Sequence, residues 1–218
     1  MDLRFSSLLL VMGLFMGSSA LTAEECEPLV KALPLTDLSV MHGRMNLVMG
    51  YINNKVMAAI LKTTESFWLN LTEGPSGPSE HVVHQKNKMN GTCVSTTVRV
   101  TVEDGAAKMQ MGNLSIVSHV LPSSEETTVF SFNYTATNFN MVLQALNLSS
   151  LVNEEMEGVI HAHAVYLFAK ESTVKDSDMG QFKEQASCLG FTGEPNFLYN
   201  PENSFCVDGE GITVKADY

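Results

Sequence analysis

The sequence predicts an all-β fold: an eight-stranded antiparallel up-and-down barrel with one C-terminal α-helix packed on its outside. Three observations carry this. From Arg44 to about Glu171 the chain falls into roughly eight apolar-polar alternating segments separated by Gly, Pro and Asn turns. The alternation gives each segment one apolar face, and eight such strands can close around a space for one small ligand. After Asp176 the period changes to that of a single helix face.

In chain order, Arg4 followed by the apolar run Leu8 to Phe15 and the small residues Ser18-Ser19-Ala20 has the form of a secretory signal, with cleavage after Ala20 or Ala23. It is too short to span a bilayer, and no later segment is long and apolar enough to do so. The chain thus divides into a signal (1–20), one domain (21–206) and an acidic flexible tail (207–218). Cys26 opens a short irregular lead containing Pro28 and Pro34 that ends at Gly43. Strands are expected near 44–52, 56–71, 80–88, 92–103, 107–118, 127–135, 139–148 and 158–170. The breaks between them include Asn53-Asn54, Gly74 to Pro78, Asn90-Gly91, Asp104-Gly105, Pro122 to Ser124 and Asn153 to Gly158.

Five Asn-x-Ser/Thr acceptors, Asn70, Asn90, Asn113, Asn133 and Asn147, are surface predictions in an exported chain, and they fix strand parity. If Asn133 faces out, Phe130, Phe132 and Tyr134 face in. If Asn70 faces out, Phe67, Leu69 and Leu71 face in and Trp68 sits outside or at the rim. Asn147 outside turns Val142, Gln144, Leu146 and Leu148 inward. In the first strand Met45, Leu47, Met49 and Tyr51 share a face, and in the fourth Val98 and Val100 point in while Arg99 points out. The rule fails at Asn113, where it would push Met109 and Met111 into solvent; a bend at Gly112 would reconcile them.

Met179, Phe182, Ala186 and Leu189 form the helix stripe, with Asp178 and Gln181 as a capping box and Gly190 as the stop. A net charge of −11 argues against nucleic acid and anionic membrane as partners, and mildly favours cationic ligands. Four cysteines, Cys26, Cys93, Cys188 and Cys206, in an oxidising compartment read as two disulfides with three possible connectivities. No C-x-x-C spacing points to zinc or a redox dithiol.

Gly43-Arg44-Met45 at the first strand, the eight strands, the single late helix and a disulfide tie at the end resemble the lipocalins. The segments D-M-G-Q-F-K-E-Q-A-S-C-L-G-F and F-L-Y-N-P-E-N-S-F-C, with the lead C-E-P-L-V-K-A-L-P-L-T-D-L-S, are similar to the α1-acid glycoprotein branch. The likeness is closer still to its fish relatives that bind tributyltin or saxitoxin and tetrodotoxin. The resemblance implies the pairings Cys26–Cys188 and Cys93–Cys206 and a ligand calyx. It has one departure: Met45 stands where lipocalins carry a tryptophan that plugs the barrel floor, which implies a softer floor.

On the resemblance, the cavity wall comprises Leu47, Met49, Tyr51, Phe67, Leu69, Val98, Val100, Phe130, Phe132, Tyr134, Gln144, Tyr166 and Phe168. Gln144, Tyr134 and Tyr166 are its polar members. The match of Phe168 to a cavity-facing aromatic turns Ala162, Ala164 and Tyr166 inward, and His161 and His163 of the H-x-H pair outward. With His42, His81, His84 and His119 scattered along the sequence, no third metal ligand is evident, so neither metal nor cofactor is expected. No nucleophile or phosphate-binding motif is present, so no enzyme activity is expected. The reading is a secreted, monomeric glycoprotein of plasma or mucus that carries a small hydrophobic or cationic amphipathic ligand. The alternative is an immunomodulatory interaction protein acting through its glycosylated surface.

Overall fold

In the computed structural model residues 21–138, 140 and 158–215 are described. The elements are α1 (Ala23–Val30), a 3-10 turn (Ser39–Met41), β1 (Gly43–Ile52), α2 (Lys55–Lys62), β2 (Thr64–Gly74), β3 (Gly77–Met89), β4 (Thr92–Glu103) and β5 (Ala106–Met111). There follow β6 (Leu114–Leu121), β7 (Thr127–Thr137), β8 (Val159–Ala169), α3 (Asp176–Cys188), β9 (Phe197–Leu198) and β10 (Ile212–Lys215). Strands β1 to β8 pair antiparallel with their neighbours, and the β1–β8 and β4–β5 ladders complete the ring. The predicted eight-stranded barrel with a helix outside is present.

Its strands are not all the predicted ones. The stretch read as a strand over 56–71 begins as helix α2, because Asn54 Oδ1 accepts from the amides of Val56 and Met57 and caps a first turn. The single strand expected over 107–118 is the β5–β6 hairpin, turned at Gly112 with φ +53° and Asn113. That turn resolves the parity conflict at Asn113. The tight turns Asn90-Gly91 and Asp104-Gly105 have positive φ at both residues, as two-residue hairpin loops require. β7 pairs directly with β8, so the barrel closes without a strand at 139–148. Apart from residue 140 that stretch, with Val142, Gln144, Leu146, Asn147 and Leu148, lies outside the described residues, as does the signal at 1–20.

Two apolar layers result. One fills the barrel; the other lies between its outer wall and α3, where Met49, Tyr51, Val165 and Leu167 meet Phe182 and Ala186. The helix starts at Asp176 with Lys175 at the cap and no side-chain cap bond. Asp178 is therefore inside the first turn, where its charge faces the positive end of the helix dipole. Gln185 is fully buried and donates to the carbonyls of Leu29 and Pro122, tying α3 to both α1 and the β6–β7 link. The lead read as irregular begins with α1, closed by a capping box in which Thr22 and Glu25 exchange bonds. Removing the buried ring with Phe182→Ala should cost about 3–5 kcal/mol, readable as a lowered urea midpoint.

The disulfides are Cys26–Cys188, joining α1 to α3, and Cys93–Cys206, joining β4 to the C-terminal segment. Where a flexible tail was expected, Ile212–Lys215 forms β10 and pairs in parallel with Val94–Thr97 of β4.

Candidate functional site

The barrel encloses a cavity of about 610 Å³, within the ~300–1,000 Å³ span of small-molecule sites. Strand pleating determines what it is lined with. On β2, Phe67, Leu69 and Leu71 face in; on β4, Val94, Thr96, Val98 and Val100; on β7, Phe130, Phe132 and Tyr134; on β8, Tyr166 and Phe168. Met109 and Met111 of β5 also face in, on the inward side of the hairpin that the sequence reading had merged. At one end Met57, Ile60 and Leu61 of α2 roof the cavity beside Gly112 and Asn113; at the other, Met45 and Leu38 form the floor. Met45 is buried, occupying the inward position predicted for it.

Two predicted wall residues are elsewhere. The β1–β8 register shifts between Leu47 and Met49, a bulge at Val48. Leu47 still faces in, opposite Phe168, but the extra residue inverts the parity that follows. Met49 and Tyr51 therefore turn out onto α3, and Tyr51 packs between Phe182 and Phe191. Gly50 and Ile52 take the inward places. The alternation of β1 is apolar on both faces, so no hydropathy signal marked the slip.

Gly50 is needed where it stands. A Cβ there would lie 2.7 Å from Tyr166 Cδ1 and 3.0 Å from Cε1. Gly50→Ala should therefore force the Tyr166 ring into the cavity, destabilise the fold by about 1–3 kcal/mol and weaken ligand uptake. Thermal melts and probe titration measure the two effects separately.

The aromatic rings form a connected cluster. Phe132 stacks on Tyr134 at 5.9 Å between centroids and contacts Tyr166 at 5.3 Å, and Phe168 meets both Phe67 and Phe130 edge-on. Tyr134 hydrogen-bonds to Tyr166 inside this cluster. Burial pushes the Tyr134 phenol well above its usual value and raises Tyr166 to about 12, so both stay neutral at any physiological pH. Their rings retain some accessible surface because they face the hollow.

Opposite them runs a short polar stripe. Gln85 Nε2 donates to Thr96 Oγ1 at 2.5 Å, and Asn87 Oδ1 is buried without a hydrogen-bond partner among the described residues. The sequence reading gave a strand near 80–88 without assigning its faces, so these groups on β3 and β4 were not among the predicted wall residues. Among the described residues the lining has no Asp, Glu, Lys, Arg or His.

The remaining predicted positions lie on the outside. Trp68 is buried under the C-terminal segment, donating to the Cys206 carbonyl at 3.0 Å with the Arg44 guanidinium 4.6 Å above its ring. Arg99 points out, 3.4 Å from Glu80. His163 bonds Ser131 and packs on Phe191, while His161 lies at the exposed face by Thr135, so the H-x-H pair does not converge. Asn90, Asn113 and Asn133 are exposed and Asn70 is half-exposed. Asn113 sits at the cavity mouth, and the Asn90 amide bonds the Thr63 carbonyl beside α2.

No family model matches the sequence, and no curated protein does either. Among solved structures the chain is similar to the siderocalin Ex-FABP, described as functioning through dual ligand specificities. The two share 14% identity over 78% of this chain and 100% of that one, with a TM-score of 0.57. A second siderocalin, described by a dual ligand binding mode, is 12% identical over 71% of this chain and 85% of its own, with a TM-score of 0.50. At such identities the likeness establishes the fold, the lipocalin barrel.

Proposed function

We propose that this protein is a secreted carrier that takes up one small apolar or amphipathic molecule in its barrel. The observation that supports this most is the barrel cavity with its aromatic and aliphatic wall. Burying ~300–500 Å² of ligand at about 25 cal/mol/Å² gives roughly 7–12 kcal/mol gross. Association entropy takes several kcal/mol of that, leaving micromolar to sub-micromolar carriage. The dual ligand behaviour described for the similar siderocalins fits a barrel of this kind, and the resemblance to the α1-acid glycoprotein branch favours lipophilic cations or guanidinium toxins.

The lining refines that choice. A cation in it would meet ring faces, phenols and the Asn87 side chain, with no carboxylate counter-ion among the described lining residues. This favours a diffuse, lipophilic cation or a neutral molecule bearing one hydrogen-bond donor over a compact hydrophilic guanidinium. The surface charge of −11 concentrates cations near the mouth, an effect that salt screens. The two disulfides and exposed sequons fit an extracellular glycoprotein, and the site is read as binding rather than catalytic.

The test is a titration with a panel of lipophilic fluorescent probes, neutral and cationic. Tyrosine emission is the intrinsic reporter, because Tyr134 and Tyr166 face the cavity whereas Trp68 does not. Saturable one-to-one binding that quenches tyrosine is expected. Absence of saturable binding across the panel would remove the carrier reading. Asn87→Leu should weaken donor-bearing ligands about 10-fold and leave purely apolar ones unchanged, from the loss of one buried hydrogen bond.

A further inference from the structure

The histidines His42 and His81, 39 residues apart in sequence, meet at the closed end of the barrel, with His42 Nε2 3.1 Å from His81 Nδ1. His81 points into the floor from β3 and is 1% exposed, while His42 is exposed at the end of the 3-10 turn. On the far side of the His81 ring, Asp37 Oδ1 lies 3.4 Å from Nε2. The Nε2 atom is nonetheless buried without a well-aligned hydrogen bond among the described residues. Asp37 is itself held by the Ser39 hydroxyl and by the Ser39 amide at 2.9 Å.

The geometry points to a divalent transition-metal site, for Zn²⁺ or Cu²⁺, between His42 Nε2 and His81 Nδ1, separate from the ligand cavity. Metal–nitrogen bonds of about 2.0–2.1 Å in a tetrahedral arrangement put two imidazole nitrogens a little over 3 Å apart, the spacing already present. A ligating imidazole commonly donates its other N–H to a carboxylate, a backbone carbonyl or water; Asp37, 3.4 Å from Nε2, occupies that position for His81. The proton count balances without oxidation or reduction. His81 keeps its proton on Nε2 toward Asp37, and His42 moves its own to the solvent-facing Nδ1. Both facing lone pairs are then free for the ion, and water fills the outward positions. Two imidazoles suit copper and zinc better than magnesium or calcium. The different cluster of Cys93, Cys206 and Glu210 is no competitor, since both sulfurs are in a disulfide.

The test is calorimetric titration of the intact secreted chain, stripped with chelator, with Zn²⁺ alone at neutral pH. One ion per chain at micromolar affinity is expected. His42→Ala, at an exposed position, should weaken it at least 10-fold with an unchanged melting curve. Asp37→Asn should weaken it about 10- to 100-fold through loss of the orienting carboxylate. His161→Ala/His163→Ala should bind as the parent does, and the Cu²⁺-loaded parent should show two equivalent nitrogens by electron paramagnetic resonance. No saturable zinc binding in the parent, or equal binding by His42→Ala, would reduce the pair to an imidazole hydrogen bond and overturn the site. Uptake of lipophilic probes does not enter this test, so its failure leaves the carrier reading untouched.

Discussion

Leu69→Trp is expected to weaken uptake of a lipophilic probe by about 60-fold while the barrel remains folded. Leu69 projects from the middle of β2 into the cavity, between Phe67 and Leu71. An indole there occupies space that a ligand would fill. Displacing about 100 Å² of ligand burial at about 25 cal/mol/Å² removes roughly 2.5 kcal/mol, or about 60-fold in affinity. The usual overpacking cost of about 1–3 kcal/mol should fall at its low end, because the cavity has about 610 Å³ to receive the ring. Probe titration gives the affinity and a thermal melt gives the stability. A variant that melts like the parent and binds like it would place the binding site outside the barrel.

The second large effect is on stability. Opening Cys93–Cys206 by Cys93→Ala/Cys206→Ala releases a crosslink spanning 113 residues. Such a loop is worth about 4.8 kcal/mol in the chain-entropy account and about 2–5 kcal/mol in typical removals. At about 2–4 °C per kcal/mol for a domain of this size, the melting midpoint should fall by roughly 5–20 °C. The site of the break gives a second signature. Cys206 offers its carbonyl to Trp68, and Phe205 and Val207 flank it over Arg44. Once this segment detaches, the chain's single tryptophan meets water and its emission shifts to the red. Cys26→Ala/Cys188→Ala should lower the midpoint without that shift, because α1 and α3 lie away from Trp68.

The barrel was legible because most of its strands alternate cleanly and carry an outward marker. Asn133 beside Phe132 and Tyr134, and Asn70 beside Leu69 and Leu71, told inside from outside correctly. Where both faces of a strand are covered, hydropathy carries no parity. β1 lies between the cavity and α3, so the bulge at Val48 left no trace and Met49 and Tyr51 were assigned to the wrong layer. The continuous apolar run Val56 to Leu61 fits a buried strand or a helix equally; the cap signal at Asn54 was the deciding residue. β10 escaped because it borrows its edge from β4 instead of showing a period of its own. The polar stripe of Gln85, Asn87 and Thr96 and the His42–His81 pair depend on strand pairing across the sheet, which hydrophobic periodicity does not encode.

The claim that the barrel is a ligand carrier is tested most directly by native mass spectrometry of the protein purified from secreting cells, before and after organic extraction. The account predicts one small molecule per chain, released by extraction, restored by incubation with the extract, and absent from Leu69→Trp prepared in the same way. Parent protein that carries no releasable molecule, and takes up none from a lipophilic panel, would contradict it.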